Sequence, residues 1–301
     1  MIRDRNHESP RWLPYLLLAL ANLFWAGNWV MGRALRESFS PITLNFGRWS
    51  VAALILAPFA VTALRGKAAL MRRHAGLLLV LALTGGALFQ SMVYVGLQST
   101  TAVNAVLLNC SAPLFIVICS WVLEREAASG RQIVGMLVSW AGIFVILGRG
   151  DMSNLLRLNL HAGDAWILLA MPVWGTYSVL LKRLPQELRG TGFLVILTAC
   201  TVPLLLPPMA LEMLLVAPKT VTPAAIAGVL YMGAFASVAA FLCWNRAVAA
   251  VGANVAGFSI PLLPAFGTVL AMLFLGEELR AFHLIGIATI LVGVVLSTRP
   301  R

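Results

Sequence analysis

The side chains that could bind a solute lie inside long apolar stretches of this sequence. Asn28 stands within the run LFWAGNWVMGR (23–33), with Trp25 three residues before it. Residues three apart lie on the same face of a helix, so Trp25 and Asn28 would present an aromatic ring beside an amide. Because an unpaired polar group is costly in hydrocarbon, Asn28 is expected to face protein or a water-filled cavity. A ring beside an amide is suited to binding a small amphipathic organic molecule.

Similar side chains recur in other apolar runs. Trp174 and Tyr177 are again three apart, and Gln90 and Tyr94, four apart, also share a helix face. With Trp25 and Asn28, the candidate substrate-binding residues are Asn45, Gln90, Tyr94, Asn109, Trp174, Tyr177, Trp244 and Asn245. Two other interpretations stay open, because Asn side chains also join neighbouring helices by hydrogen bonds and Trp side chains also mark the membrane interface.

Arg48 is the single cation placed well inside an apolar run. It could extend to the aqueous face, bond to a helix end, or hold the carboxylate of a substrate, and the first two interpretations are favoured. All eleven carboxylates fall in loops or near the ends of apolar runs. A proton-coupled antiporter usually keeps a titratable group at depth. The sequence therefore favours movement down a gradient, or coupling through an unidentified group.

Catalytic, metal-binding and nucleic-acid-binding functions are not indicated. No paired carboxylates, His cluster or Ser/His arrangement occurs inside the apolar runs, so we expect no enzyme. The four cysteines lie inside apolar runs without partners at the spacing of a metal site, so we expect no metal, cofactor or disulfide. The net charge of +11 comes from cations spread over short loops, which is typical of membrane topology and not of nucleic-acid binding.

The composition predicts an all-α membrane protein. Of the 301 residues, 60% are hydrophobic and only 11% are charged, well below the charged share of a soluble domain. Apolar runs as long as a bilayer-spanning helix recur along the whole chain. They predict ten transmembrane helices, at 13–33, 42–64, 75–97, 101–123, 130–149, 162–182, 191–211, 223–248, 253–275 and 280–298.

The loop cations predict the orientation. Lys and Arg are in excess in the loops that share a side with the N-terminus, so that side is expected to be cytoplasmic. An even number of spans then places both termini in the cytoplasm, with residues 1–12 as a cytoplasmic N-terminal tail. The first run is too long for the apolar part of a cleavable signal peptide.

The two halves of the chain match each other. Trp25 matches Trp174, 149 positions later, and Pro113 matches Pro264, 151 positions later. Both prolines fall within apolar runs, where each is expected to kink its helix and to act as a hinge or to shape the cavity as a static bend. These are the candidate hinge residues.

Two repeats of five spans each follow from this match. The first is expected to cover residues 13–150 and the second residues 151–298. Because five is odd, the second repeat would cross the membrane in the opposite sense to the first. Inverted repeats of this kind are typical of secondary transporters, whose substrate site lies near the midplane between the halves.

These features together resemble the drug/metabolite transporter superfamily, in its EamA-type branch. The resemblance depends on the order of FWAGNWV (24–30), Arg48, the two prolines and LGEEL (275–279). The loop after the fourth span departs from the pattern, since it reads EREA (124–127). Within this superfamily the chain is most similar to the bacterial aromatic amino-acid exporters. The resemblance implies a bacterial inner-membrane carrier, with ten helices around a central cavity, that exports amino acids or related metabolites by alternating access.

The predicted function is therefore that of a secondary carrier for amino acids, with aromatic and apolar ones favoured. The alternatives are a channel, a lipid scramblase, or a carrier for other metabolites or drugs. A channel would place a ring of like polar groups along one path, whereas the polar residues here cluster towards mid-depth. We expect contacts with membrane lipid and with no nucleic acid. Ten spans can enclose a cavity without a partner, so a monomer is expected.

Overall fold

The fold was obtained as a computed structural model that describes residues 12–109, 111–125, 130–148, 150–151, 161–251, 259, 262–276, 278 and 280–298. These residues form helices and connecting turns, without a strand among them. Six of the described helices are long and apolar enough to cross a membrane, and a bent helix pair adds a seventh if it forms one span. The prediction of an all-α chain is confirmed for the described residues.

Most of the predicted spans correspond to helices with similar bounds. We number the main helices α1 to α11 in chain order. They are α1 (Leu13–Ala34), α2 (Pro41–Leu64), α3 (Ala75–Ser99), α4 (Ala102–Asn109), α5 (Ala112–Glu124), α6 (Gly130–Leu147), α7 (Ala162–Leu181), α8 (Thr191–Leu215), α9 (Pro223–Tyr231, Met232–Ala239 and Ala240–Val251), α10 (Leu262–Leu275) and α11 (Ala281–Thr298). A short helix, Ala68–Arg73, precedes α3.

Polar side chains from neighbouring helices satisfy several helix ends. The Glu212 carboxylate of α8 accepts hydrogen bonds from the backbone N–H groups of Ile42 (3.1 Å) and Thr43 (2.7 Å), in the first turn of α2. Arg33, near the end of α1, donates to the carbonyls of Leu97 and Gln98 at the end of α3. Acids at helix N-termini and cations at C-termini also complement the helix dipoles. These contacts fix the ends of α1, α2, α3 and α8 against one another.

The helices of the two halves pack in a pattern that is preserved when the halves are exchanged. Helix α1 of the first half contacts α9 and α10 of the second half, and helix α7 of the second half contacts α3 and α5 of the first half. The two remaining major contacts join α2 to α8 and α6 to α11. We match α1, α2, α3, α5 and α6 with α7, α8, α9, α10 and α11, in that order. The contacts of α1 then correspond to the contacts of α7. The α2–α8 and α6–α11 contacts each correspond to themselves. The packing therefore reflects the duplication seen in the sequence.

A π-helical segment lies in each of the matched helices α3 and α9. The segments are Ala82–Leu88 and Met232–Ala239, and their first residues are 150 positions apart. Each segment contains a glycine against which another helix packs closely. A Cβ on Gly86 would overlap Thr201 of α8, and a Cβ on Gly233 would overlap Val51 of α2. Segments of this kind free backbone carbonyls from the helical ladder and often occur at functional sites.

The span predicted at 101–123 is broken. Helices α4 and α5 are inclined by 44° to each other, and Pro113 is the second residue of α5. At the break, the Leu108 carbonyl accepts from both the backbone N–H (3.0 Å) and the hydroxyl (2.6 Å) of Ser111. The two helices meet just before Pro113, and its role as a hinge stays a prediction. Pro264 lies in α10, three residues into the helix, and the chain just before this helix lies outside the described residues.

Candidate functional site

Four buried side chains form a hydrogen-bonded group at the centre of the structure, which we call the central polar cluster: Asn28, Arg48, Tyr94 and Ser237. The Arg48 guanidinium donates from Nε to Ser237 Oγ (2.6 Å) and from Nη1 to the Tyr94 hydroxyl oxygen (3.1 Å). The Tyr94 hydroxyl in turn donates to Asn28 Oδ1 (2.9 Å). None of the four side chains is more than 2% exposed.

Each member of the cluster comes from a different helix. Asn28, Arg48 and Tyr94 lie on α1, α2 and α3 of the first half, and Ser237 lies on α9 of the second half. Gly32, one turn after Asn28, lets the Tyr94 ring approach α1, since a Cβ there would lie 2.9 Å from the ring. Ser237 belongs to the π-helical segment of α9, and its hydroxyl donates to the Met232 carbonyl five residues earlier (3.0 Å). The segment thereby orients the Ser237 oxygen that accepts from Arg48.

The position of Arg48 corrects the favoured interpretation of the sequence. Its side chain neither reaches the aqueous face nor bonds to a helix end, because it is 1% exposed and bonds to the side chains of Tyr94 and Ser237. Its guanidinium carbon lies 5.1 Å from the centre of the Trp49 ring, at a distance that allows cation–π attraction. No carboxylate of the described residues pairs with it. The orientation of Arg48 depends on long-range packing, because its partners Tyr94 and Ser237 are 46 and 189 positions away in the sequence.

Two aromatic groups flank the junction between the halves. In the first, the Trp25 ring lies 5.3 Å from that of Trp244 and 5.6 Å from that of Phe241. Each group joins a tryptophan of one half to an aromatic residue of the other half.

The second aromatic group is built around Trp174. Its ring lies 4.9 Å from that of Phe89 and 5.0 Å from that of Tyr177, so Trp174 and Tyr177 do share a helix face as their spacing predicts. Tyr177 also packs closely on Gly85, where a Cβ would overlap its ring. It does not join the Asn28 hydrogen-bond group, although the two residues match in the repeat alignment.

Among the described side chains, the other predicted site residues are not members of these groups. Asn45 is fully buried, and its Nδ2 lies within hydrogen-bond distance of the carbonyls of Gly86 (3.1 Å) and Ala87 (3.1 Å) and of Ser91 Oγ (3.0 Å). These bonds join α2 to the π-helical segment of α3. Asn109 is half-buried at the last residue of α4. Asn245 lies in α9, and the side chains of Asn245, Pro113 and Pro264 are outside the described parts of the structure.

Two side-chain amide oxygens, on the helices α2 and α3 that carry Arg48 and Tyr94, have no hydrogen-bond partner among the described residues. They are Asn45 Oδ1, on the residue three before Arg48 in α2, and Gln90 Oε1, on the residue four before Tyr94 in α3. Buried acceptors without partners are rare in folded proteins, and each calls for an explanation such as a water or a ligand.

Two buried polar pairs were not identified from the sequence. Asp164, in the first turn of α7, accepts a short hydrogen bond from Thr100 and lies 3.8 Å from His161 Nδ1. Asn104 of α4 contacts His283 of α11 (Oδ1 to Nε2, 3.0 Å). The sequence signals were weak, namely an acid and a histidine near helix starts. Among the described residues, no three His, Cys, Asp or Glu side chains are grouped as in a metal site.

Comparison with known proteins adds independent information. The model of the EamA-like transporter family matches the chain twice, at residues 12–148 and 161–299. An uncharacterized transporter of Archaeoglobus fulgidus is 29% identical, over 95% of this chain and 98% of that protein. A probable terminal-alkyne amino-acid exporter of Streptantibioticus cattleyicolor is 30% identical, over 94% of this chain and 92% of that protein. One solved crystal structure superposes with a TM-score of 0.61 at 17% identity, covering 94% of this chain and 95% of that one, and this shows similarity of fold.

Proposed function

The chain belongs to the EamA-like transporter family, and we propose that it is a secondary carrier that exports amino acids or related small metabolites by alternating access. Aromatic and apolar amino acids are the favoured substrates. The carrier acts in the bacterial inner membrane as a multi-pass monomer with both termini in the cytoplasm.

The proposed architecture has ten transmembrane helices in two inverted five-helix repeats, residues 13–150 and 151–298, around a central cavity. The double family match and the π-helical segments 150 positions apart support the duplication. The contact pattern of α1 with α9 and α10, and of α7 with α3 and α5, supports a two-fold relation between the halves. An odd number of spans in each repeat makes that relation an inverted one. Substrate sites in such transporters lie between the repeats.

The observation that carries the proposal is the central polar cluster. Asn28, Arg48 and Tyr94 from one half and Ser237 from the other form a site at the junction of the two repeats. The cluster is closed to solvent in this conformation. A closed polar site between two repeats is what a carrier needs, because its substrate is bound while both sides are shut, whereas an open channel needs a continuous polar path.

The choice of aromatic and apolar substrates is supported by the rings around the junction. Trp25 lies one helical turn from Asn28 and packs against Trp244 and Phe241, so an aromatic surface adjoins the polar cluster. Aromatic rings pack favourably against other rings in tilted or edge-to-face arrangements. The probable terminal-alkyne amino-acid exporter among the relatives supports amino acids as the broader substrate class.

The test is uptake of labelled phenylalanine into proteoliposomes, for wild type, Asn28→Ala and Trp25→Ala. We expect saturable uptake that other aromatic amino acids inhibit and that both variants reduce by tenfold or more. Asn22→Ala is the matched control, since Asn22 is a second buried amide on α1 that bonds to Leu18 and Ser259 outside the cluster. The control is expected to keep the wild-type KM.

The outcomes separate the alternatives. Uptake that rises linearly with concentration would indicate a channel, and lipid movement between leaflets without phenylalanine uptake would indicate a scramblase. Saturable uptake that is insensitive to Asn28→Ala and Trp25→Ala would leave a carrier whose site is elsewhere. No amino-acid uptake at all would direct the search to other metabolites or drugs.

A further inference from the structure

We propose that Arg48 is the anchor for the carboxylate of the transported solute, and that the solute's ammonium group meets only neutral amide oxygens. This inference rests on the proposed carrier function and specifies which part of an amino acid the site recognises. It predicts that the carboxylate is required for binding and that the ammonium group contributes less.

The positive charge of Arg48 is not neutralised by the neighbours that the structure describes. Its two hydrogen-bond partners among the described residues, Tyr94 and Ser237, are neutral hydroxyls, and no carboxylate among the described residues pairs with it. A buried charge is costly unless an opposite charge compensates it, and ionisable groups inside a membrane are generally functional. A substrate carboxylate would supply the missing negative charge.

Some N–H donors of the Arg48 guanidinium remain for a ligand. A guanidinium has five N–H groups, and the bonds to Ser237 and Tyr94 use two of them. No acceptor lies on the other three within the part of the chain that the structure describes. Guanidinium and carboxylate groups match in a planar, paired geometry, which makes arginine better suited than lysine to hold a carboxylate. The cluster therefore holds the guanidinium in place and leaves donors for a ligand.

The ammonium end of the solute would meet two buried amide oxygens. Asn45 Oδ1 and Gln90 Oε1 are buried acceptors without partners among the described residues. Asn45 lies one turn from Arg48 on α2, and Gln90 lies one turn from Tyr94 on α3. An ammonium group can donate three hydrogen bonds, so it has enough donors for both oxygens. These oxygens carry no net charge, and the ammonium group should therefore contribute less than the carboxylate does.

The experiment measures ligand-dependent thermal unfolding of the full chain in detergent micelles. The probes are phenylalanine, phenylalaninamide, which lacks the carboxylate, and 3-phenyllactate, which lacks the ammonium group. Apparent Kd values follow from the concentration dependence of Tm. We expect phenylalaninamide to bind at least about tenfold more weakly than phenylalanine, and 3-phenyllactate to bind only about threefold more weakly. Leucine and leucinamide repeat the comparison for an aliphatic side chain.

Variants assign the effect to residues. Arg48→Gln is expected to abolish the preference for phenylalanine over its amide, and Arg48→Lys to retain part of it. Gln90→Leu is expected to weaken the binding of phenylalanine and to leave the binding of 3-phenyllactate unchanged. Arg33→Gln is the matched control, because it removes a cation of α1 that bonds to Leu97 and Gln98 outside the cluster. If Arg48→Gln does not fold, the wild-type probe series still tests the need for the carboxylate, and Arg48→Lys still tests the role of Arg48.

Three results would overturn the proposal. They are equal binding of amino acid and amide, a preference that survives in folded Arg48→Gln, and no stabilisation of the wild type by any of the carboxylates. Uptake is measured separately on the same protein. Saturable uptake that the amide inhibits as well as the amino acid does would support the carrier function and contradict the role of Arg48 as anchor. Carboxylate-dependent binding without uptake would support the role of Arg48 and contradict the transport function.

Discussion

Arg48 Nε and Ser237 Oγ lie 2.6 Å apart, and this hydrogen bond connects α2 of the first repeat to the π-helical segment of α9 in the second. The bond is buried, and its acceptor is held in turn by the Met232 carbonyl. Under the proposed alternating access, this buried contact between the halves would hold the closed conformation and would be rearranged when the site opens.

The Arg48–Ser237 bond is expected to contribute measurably to stability. Ser237→Ala leaves one guanidinium N–H without its acceptor, which costs about 1–3 kcal/mol when the group is buried. Ser178→Ala is the control, because the Ser178 hydroxyl bonds only within its own helix, to the Trp174 carbonyl. Thermal unfolding in detergent measures both. A double-mutant cycle with Arg48→Met should give a coupling above about 0.5 kcal/mol, and strict additivity would show that the two side chains act independently.

The Tyr94 hydroxyl is expected to orient Arg48 and Asn28 together. Tyr94→Phe removes one donor and one acceptor at once but keeps the ring that packs on Gly32. Fold and helix content should therefore be retained, while the KM for amino-acid uptake rises by about tenfold, equivalent to about 1.4 kcal/mol. Tyr15→Phe, at an exposed position on α1, is the matched control. An unchanged KM in folded Tyr94→Phe would mean that this hydroxyl has a purely structural role.

The sequence predicted the positions of the helices better than the contacts between them. The length of an apolar run determines where a span can lie, so the expected bounds of the first span, 13–33, agree with α1 (Leu13–Ala34) to one residue. Helical spacing also predicted that Trp174 and Tyr177 share a face. Both properties depend on residues that are close in sequence.

Arg48 and Asn45 show what local sequence could not determine. The favoured orientation of Arg48 was wrong, because its partners Tyr94 and Ser237 are positioned by the packing of α3 and α9. Asn45 bonds to backbone carbonyls of the π-helical segment of α3, whose irregular geometry no residue pattern had indicated. Its role as a binding residue stays a prediction, and its Nδ2 contacts show that it also connects helices.

Gly86, in the π-helical segment of α3, is expected to tolerate no larger side chain. A Cβ on Gly86 would overlap the Thr201 side chain of α8, so Gly86→Ala should destabilise the protein by about 1–3 kcal/mol through overpacking. Gly76→Ala is the matched control, because no atom lies within 4 Å of the Cβ position there. Thr201→Ala should rescue part of the loss when it is combined with Gly86→Ala. Equal Tm values for Gly86→Ala and the control would contradict this account.

The Glu212 carboxylate is expected to act as the N-terminal cap of α2, although it belongs to α8. It accepts from the backbone N–H groups of Ile42 and Thr43 and from the Thr43 hydroxyl (2.9 Å). Glu212→Gln keeps the shape but replaces one acceptor oxygen with a donor and removes the charge that complements the helix dipole, so a loss of about 1 kcal/mol is expected. Glu187→Gln, at an exposed turn, is the control and should leave Tm unchanged. Because the cap ties α8 to the start of α2, hydrogen exchange at Thr43 should increase in Glu212→Gln more than exchange in the middle of α2. A uniform increase along α2 would instead indicate that the substitution weakens the whole helix pair and not its end.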